Sequence, residues 1–198
     1  MDVFITVAVG TLYILYTILF VLVRKSARKR RKLPGQETIN PYARRDSALL
    51  ASLIGMEIVL LVLHIVKVPV VRNFSFALPP ALRLVALVVG LAGVCIIGWA
   101  SLVLDGEFSA TIELKEAHRL ITAGPYRYVR HPIYSGFILL HLGVTLALAN
   151  WLIMIAYNGG LMLLLMERIP REERVLHAYF GSKWDEYARN RGRFLPWR

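Results

Sequence analysis

Two clusters of ionisable residues stand beside long apolar segments, where removing charge from water is expensive. One cluster, 124–134, holds Arg127, Arg130 and His131 among three tyrosines and runs directly into an apolar stretch. The other, 167–173, follows the next apolar stretch and holds two arginines and three glutamates. Such groups at the mouth of a membrane bundle indicate an enzyme whose substrate lies half in the membrane and half in water.

Within the second cluster, Arg168 and Glu172 are four residues apart and therefore share one face of a helix. They could form a surface ion pair worth less than about 1 kcal/mol. Alternatively, an arginine held by a glutamate can bind a carboxylate through two parallel hydrogen bonds. Pro170 predicts a kink or a helix restart between them. Arg171 and Glu173 are expected to point into solvent.

The first cluster also allows two interpretations. His131 precedes a proline, where a histidine can be structural, a base or a hydrogen-bond donor. Tyr126, Tyr128 and Tyr134 suit interfacial anchors, but aromatic faces also attract a cationic cofactor. No metal is expected, because the five histidines form no close ligand pair and Cys95 lies alone in an apolar segment.

Both clusters are expected to be held in place by membrane helices. The chain is 57% hydrophobic, and its mean hydropathy is +0.54, which predicts a polytopic, all-α membrane protein. We predict one domain over 1–198, with the catalytic half at about 100–198. A helix needs about 20 apolar residues to cross a bilayer, and the first three of five segments reach that length. The last two are short and separated only by Asn150, which predicts a helical hairpin, tilted or reaching partway. The five segments are 3–23, 47–66, 81–104, 133–149 and 151–166.

The net charge of +11 is distributed unevenly. Segments 24–46, 105–131 and 167–198 hold nine, four and eight of the 24 lysines and arginines. The positive-inside rule places these segments in the cytoplasm and the N-terminus outside. Attraction to anionic membrane lipids explains the basic run at 24–32, so nucleic acid is not an expected partner. A transporter or membrane scaffold is a non-enzymatic alternative, which the clustering of charge at one face disfavours.

Three stretches, in this order, resemble the isoprenylcysteine carboxyl methyltransferase family, a relative of the phospholipid methyltransferases. They are HRLITAGPYRYVRHPIY at 118–134, ERIPREERVLHAYFGSKWDEY at 167–187 and RFLPW at 193–197. The resemblance covers about 100–198 by motif and 1–99 by topology alone. It implies an integral membrane enzyme with S-adenosylmethionine as cofactor, bound in a cytoplasmic C-terminal pocket. The membrane would be the cell membrane in a prokaryote or the endoplasmic reticulum in a eukaryote.

Carried over residue by residue, the resemblance makes Arg168 and Glu172 the catalytic, substrate-side pair. Thr111 stands where eukaryotic members carry a glutamine. The implied reaction is methyl transfer to a lipid-linked or lipophilic acceptor, with carboxyl O-methylation of the isoprenylcysteine type as the first expectation. N-methylation of a phospholipid amine is the alternative, and it needs a base such as Glu172 or His131. The implied cofactor-binding residues are His118, Arg119, Leu120, Ile121, Tyr126, His131, Pro132, Ile133 and Tyr134.

Overall fold

A computed structural model describes residues 2–30, 43–104 and 120–196, and these residues form a helical bundle. The all-α fold class is therefore confirmed. The helices are α1 (Asp2–Arg30), α2 (Ala43–Ile65), the short α3 (Pro69–Arg72), α4 (Pro80–Leu104), α5 (Pro132–Leu148), α6 (Trp151–Phe180) and α7 (Ser182–Arg189), with a 3₁₀ turn at Gly124–Arg127.

The bundle is built for an apolar environment. Three helices in the described part of the chain are long and apolar enough to cross a membrane, namely α2 over Ala48–Ile65, α4 and α6. Two shorter apolar stretches lie in α1 and α5, over Val3–Leu19 and Pro132–Leu148. Large apolar side chains cover the outward faces, among them Val7, Ile58, Val88 and Leu163. These features support an integral membrane protein, and the count of five crossings stays a prediction.

Glycines allow α4 and α5 to pack backbone against backbone. A Cβ atom added to Gly143 would lie 2.3 Å from the Gly90 nitrogen, and one added to Gly93 would lie 2.6 Å from the Gly136 oxygen. Small residues are the usual means by which membrane helices approach this closely. The contact runs along most of α5. It therefore fixes the position of the start of α5, where His131 and Tyr134 lie.

The predicted helical hairpin is present, and its turn is at Asn150. Ala149 adopts a left-handed conformation with φ of 51° and ends α5. The Asn150 side chain accepts a hydrogen bond from the Ile153 nitrogen at 3.1 Å, which caps α6. It also donates to the Val71 carbonyl at 2.8 Å. The hairpin is thereby fastened to the connection between α2 and α4, at the end of the bundle away from the charged clusters.

Helix α6 differs from the prediction. It runs without interruption for 30 residues and contains Pro170, so the helix restart considered at Pro170 does not occur, and the apolar segment 151–166 is the first part of a longer helix. A proline removes one backbone donor, and helices in membrane bundles tolerate that loss when neighbouring groups satisfy the freed carbonyl. The helix ends instead at Gly181, whose φ is 55°. Arg168 and Glu172 therefore lie on one continuous helix.

Candidate active site

A hydroxyl group connects the two predicted catalytic residues. The Arg168 Nε atom donates to the Tyr134 hydroxyl at 2.8 Å, and that hydroxyl donates to Glu172 Oε2 at 2.6 Å. Arg168 is buried, with 6% of its surface exposed. Tyr134 comes from the first turn of α5, whereas the other two residues lie one turn apart on α6. The resemblance assigned Tyr134 to the cofactor-binding residues. The structure brings its hydroxyl to Arg168 and Glu172 as well, and we call these two residues the acceptor pair.

Tyr126 also lies near Glu172. It is buried in the 3₁₀ turn, and its backbone carbonyl accepts a hydrogen bond from the Tyr187 hydroxyl at 2.9 Å. Burial, together with the nearby negative charge of Glu172, raises the pKa of the Tyr126 phenol well above its usual value. Tyr126 is therefore neutral at physiological pH. The Glu172 carboxylate is therefore close enough to act on the Tyr126 phenol.

The sequence predicted that Glu173 points into solvent. In the structure it is instead the centre of a charged network. Its side chain is 13% exposed. One carboxylate oxygen lies 2.9 Å from Arg130 Nη1 and 3.1 Å from His131 Nε2. Arg193 reaches the other oxygen at 2.7 Å. Arg171 is also largely covered, with 11% of its side chain exposed, and pairs with Glu167. The expectation of two solvated residues is wrong, and for Glu173 the reason is that Arg193 of the C-terminal segment returns over α6 to reach it.

His131 joins this network to the acceptor pair. Its side chain is 3% exposed, and its ring stacks on the Tyr134 ring with centroids 5.5 Å apart. We use the name mouth cluster for His131, Tyr134, Arg168, Glu172 and Glu173. All five come from the start of α5 and the second half of α6, and Glu173 is the member that the sequence did not predict.

The remaining predicted cofactor residues are only partly accounted for. Leu120 and Ile121 lie half-buried just before the 3₁₀ turn, and Ile133 is half-buried at the start of α5. Pro132 is fully buried, so its contribution is to shape the wall. His118 and Arg119, like Thr111, lie outside the described residues. The assignment of all these residues to a cofactor stays a prediction.

A second polar cluster lies deeper in the bundle, and we call it the mid-bundle cluster: Glu57, His141 and Tyr157. His141 Nε2 lies 2.8 Å from Glu57 Oε1, and its Nδ1 lies 2.8 Å from the Phe137 carbonyl. The Tyr157 hydroxyl donates to the Glu57 backbone carbonyl. The sequence analysis did not pair His141 with Glu57, because the two residues are 84 positions apart. An acidic residue in the middle of a predicted span was the available signal.

Tyr126, together with Tyr134 and Glu172 of the mouth cluster, fits the chemistry of S-adenosylmethionine. A sulfonium cation is attracted to aromatic faces and to a carboxylate. Tyr126 and Tyr134 supply two aromatic rings, and Glu172 supplies a carboxylate close to both. These are the residues that would hold the charged part of the cofactor.

Comparison with known proteins bears on the same region. Residues 84–178 match the model of the isoprenylcysteine carboxyl methyltransferase family. A probable protein-S-isoprenylcysteine O-methyltransferase of Oryza sativa subsp. indica is 40% identical over 85 residues, which are 43% of this chain and 44% of the relative. The B form from Arabidopsis thaliana is 40% identical over 77 residues, 39% of each chain. The match thus spans less than half the length of these curated relatives.

A solved structure extends the likeness in fold beyond the matched segment. The structure of a eukaryotic intramembrane Ras methyltransferase of the same family superposes with a TM-score of 0.56, covering 80% of this chain and 54% of the other at 24% identity. At that identity the likeness concerns the fold alone. The resemblance drawn from the sequence motifs is confirmed, because residues 84–178 match the model of the isoprenylcysteine carboxyl methyltransferase family.

Proposed function

We propose that this protein transfers a methyl group from S-adenosylmethionine to the carboxylate of an isoprenylated cysteine. The observation that carries the proposal is the hydrogen-bonded series from Arg168 through Tyr134 to Glu172, at the end of an apolar bundle. The names of the relatives supply the acceptor class. Because the match covers less than half of those relatives, the activity of the whole protein is inferred.

Arg168 is the residue to which we assign the acceptor carboxylate. A carboxylate is ionised near neutral pH, and a guanidinium can bind it with two parallel hydrogen bonds. The Tyr134 hydroxyl accepts from Nε and donates to Glu172, so it fixes the plane of the guanidinium. The acceptor oxygen is then held in one direction, which is the main requirement for a transfer between two bound reactants.

Tyr126, Tyr134 and Glu172 are the residues to which we assign the charged end of the cofactor. When bound, S-adenosylmethionine supplies a methyl group on a positively charged sulfur, so the carbon–sulfur bond breaks as the carbon–oxygen bond of the ester forms. No proton is transferred. The task of the protein is to align the carboxylate with the methyl carbon and to exclude water from the mouth cluster.

The burial of His131 favours a carboxylate acceptor over a lipid amine. An amine must lose a proton before it attacks, which requires a base. The His131 side chain is 3% exposed and its Nε2 atom lies against Glu173. Glu172 already accepts a hydrogen bond from Tyr134. Both candidate bases are thus engaged in positioning other groups, whereas a carboxylate acceptor needs no base at all.

The apolar surroundings of the site suit an acceptor with a lipid tail. Large apolar side chains are exposed on α6 within two turns before Arg168, namely Met162, Leu163 and Met166. A prenyl group can approach such a surface from within the bilayer. With the basic segments placed by the positive-inside rule, we assign the mouth cluster and its cofactor pocket to the cytoplasmic face and the N-terminus to the opposite side.

The experiment uses the full chain in liposomes, with labelled S-adenosylmethionine and either farnesylcysteine or phosphatidylethanolamine as acceptor. We expect label in a farnesylcysteine ester that base hydrolyses, with release of labelled methanol. A base-stable product formed only from phosphatidylethanolamine would instead establish an amine methyltransferase. Absence of S-adenosylmethionine binding in calorimetry would contradict both enzymatic readings.

A further inference from the structure

The C-terminal segment 190–196 lies against residues 129–131, which belong to the stretch 124–134 that we call the cofactor-side wall. Gly192 pairs with Val129 in an isolated parallel bridge. The Arg130 nitrogen donates to the Gly192 carbonyl at 2.9 Å, and the His131 nitrogen donates to the Arg193 carbonyl at 3.0 Å. These contacts use the backbone, so they fix the path of the chain that leads into α5.

Two further contacts extend this attachment to the far end of the segment. The Ser135 hydroxyl donates to the Phe194 carbonyl at 2.9 Å. The Phe194 ring packs against a small core formed by Leu161, Leu165 and Ile169 of α6. The segment 190–196 therefore spans from the wall at residues 129–131 to the helix that carries Arg168, and it covers the junction between them.

Glu173 fastens this segment to the wall. Arg193 donates to it twice, from Nη2 to Oε2 at 2.7 Å and from Nε to Oε1 at 3.2 Å. The same carboxylate holds Arg130 at 2.9 Å and His131 at 3.1 Å. One carboxylate thus joins α6, the residues before α5 and the C-terminal segment. Without its charge, two guanidinium groups would face each other with no anion between them.

Glu173 reaches the reacting groups only through other residues. It contacts His131, whose ring stacks on Tyr134, and Tyr134 holds Arg168. We propose that Glu173 is a positioning residue that latches segment 190–196 over the cofactor-side wall and so sets the affinity for S-adenosylmethionine. This inference rests on the proposed function. It assigns to Glu173 a role that Arg168 and Glu172, earlier on α6, do not have.

The test compares Glu173→Gln with Glu186→Gln, an exposed glutamate on α7. Hydrogen bonds to charged groups contribute more than neutral ones, so we expect about a tenfold rise in the S-adenosylmethionine Kd for Glu173→Gln. The farnesylcysteine KM should stay within about twofold, and Glu186→Gln should change neither value. Amide hydrogen exchange at Arg130 and His131 should accelerate in Glu173→Gln and stay unchanged in Glu186→Gln.

A second variant covers the case in which Glu173→Gln does not fold. Arg193→Lys keeps the charge but loses the paired donation, and we expect a smaller rise in Kd with the same unchanged acceptor KM. Equal Kd values and equal amide exchange in the Glu173, Arg193 and Glu186 variants would overturn the latch. If the unsubstituted chain binds no S-adenosylmethionine, the proposed function fails. Amide exchange then still decides whether Glu173 holds the segment.

Discussion

Two histidines ten residues apart, one at the N-cap of α5 and one in the middle of that helix, each pair with a glutamate of another helix, and the two pairs serve different purposes. His131 caps the start of α5 and lies 3.1 Å from Glu173, whereas His141 in the middle of α5 lies 2.8 Å from Glu57. Both histidines are buried. Their distances and chemistry are nearly the same, so the pair itself does not determine the role. The surroundings do.

The pair at the mouth is surrounded by charge. Arg130 and Arg193 share the Glu173 carboxylate, and Arg168 lies one aromatic ring away. The mid-bundle pair is surrounded by apolar core and by tyrosines from α1 and α6. Fixed charge at the mouth can orient a charged substrate. The same pair in the core joins α2 to α5, because breaking it would leave a polar group unsatisfied in an apolar region.

Arg168→Ala gives the largest expected effect on the mouth cluster. Truncating one partner of a buried, hydrogen-bonded charge pair costs about 2–5 kcal/mol, so kcat/KM for farnesylcysteine should fall about 100-fold or more. Arg168→Lys should recover part of the loss. Arg174→Ala, an exposed arginine on the same helix, is the matched control and should change activity little. A loss of stability without a loss of activity in Arg168→Ala would give the mouth cluster a structural role only.

His141→Ala should produce the converse result. Breaking a buried pair by removing one partner costs about 3–5 kcal/mol, so the free energy of unfolding in mixed micelles should fall by about 3 kcal/mol. Activity per folded molecule should stay near that of the unsubstituted chain. The control is His177→Ala, which removes an exposed pair with Asp185 whose side chains are 58% and 51% exposed. Unchanged stability with lost methyl transfer would place His141 in the active site.

Tyr134→Phe removes the hydroxyl that connects Arg168 to Glu172. Two hydrogen bonds to charged groups are lost, but both charged partners remain near each other. We expect kcat/KM to fall about tenfold, with a smaller change in the S-adenosylmethionine Kd. Tyr128→Phe is the control, because Tyr128 is 54% exposed outside the cluster. Equal activities in the two variants would show that the hydroxyl does not orient Arg168.

The local signals in the sequence were sufficient for the outline of the molecule. Hydropathy located the apolar helices, and Asn150 marked the hairpin turn that the structure shows. The four-residue spacing placed Arg168 and Glu172 on one face of a helix. Each of these features depends on residues close together in the chain, where periodicity and propensity act directly.

The pairings between distant residues could not be obtained in the same way. Glu57 and His141 are 84 residues apart, and only the packing of α2 against α5 and α6 brings them together. Glu173 was expected in solvent because helix periodicity does not show that residues 190–196 return over α6. Pro170 predicted a kink or a restart because a proline removes one backbone donor, but α6 continues through it.

Asn158→Ala gives the smallest expected effect, and it tests the surroundings of the mid-bundle cluster. Its amide donates to Thr145 Oγ1 at 3.0 Å, and Thr145 in turn donates to the His141 carbonyl at 2.7 Å. Hydrogen bonds between membrane helices contribute about 0.6 kcal/mol on average. We expect a loss of stability near that value and no change in kcat/KM.

A double-mutant cycle of Asn158→Ala with Thr145→Val isolates the link between the two side chains. A coupling of about 0.6 kcal/mol would be much smaller than the stability lost in His141→Ala. The stability of the core would then depend mainly on the buried pair, and the Asn158 amide would contribute little. A coupling comparable to the His141→Ala loss would show a cooperative network. The mid-bundle cluster would then extend to Asn158, and α5 and α6 would be held together by polar contacts at two levels, one at the mouth and one in the core.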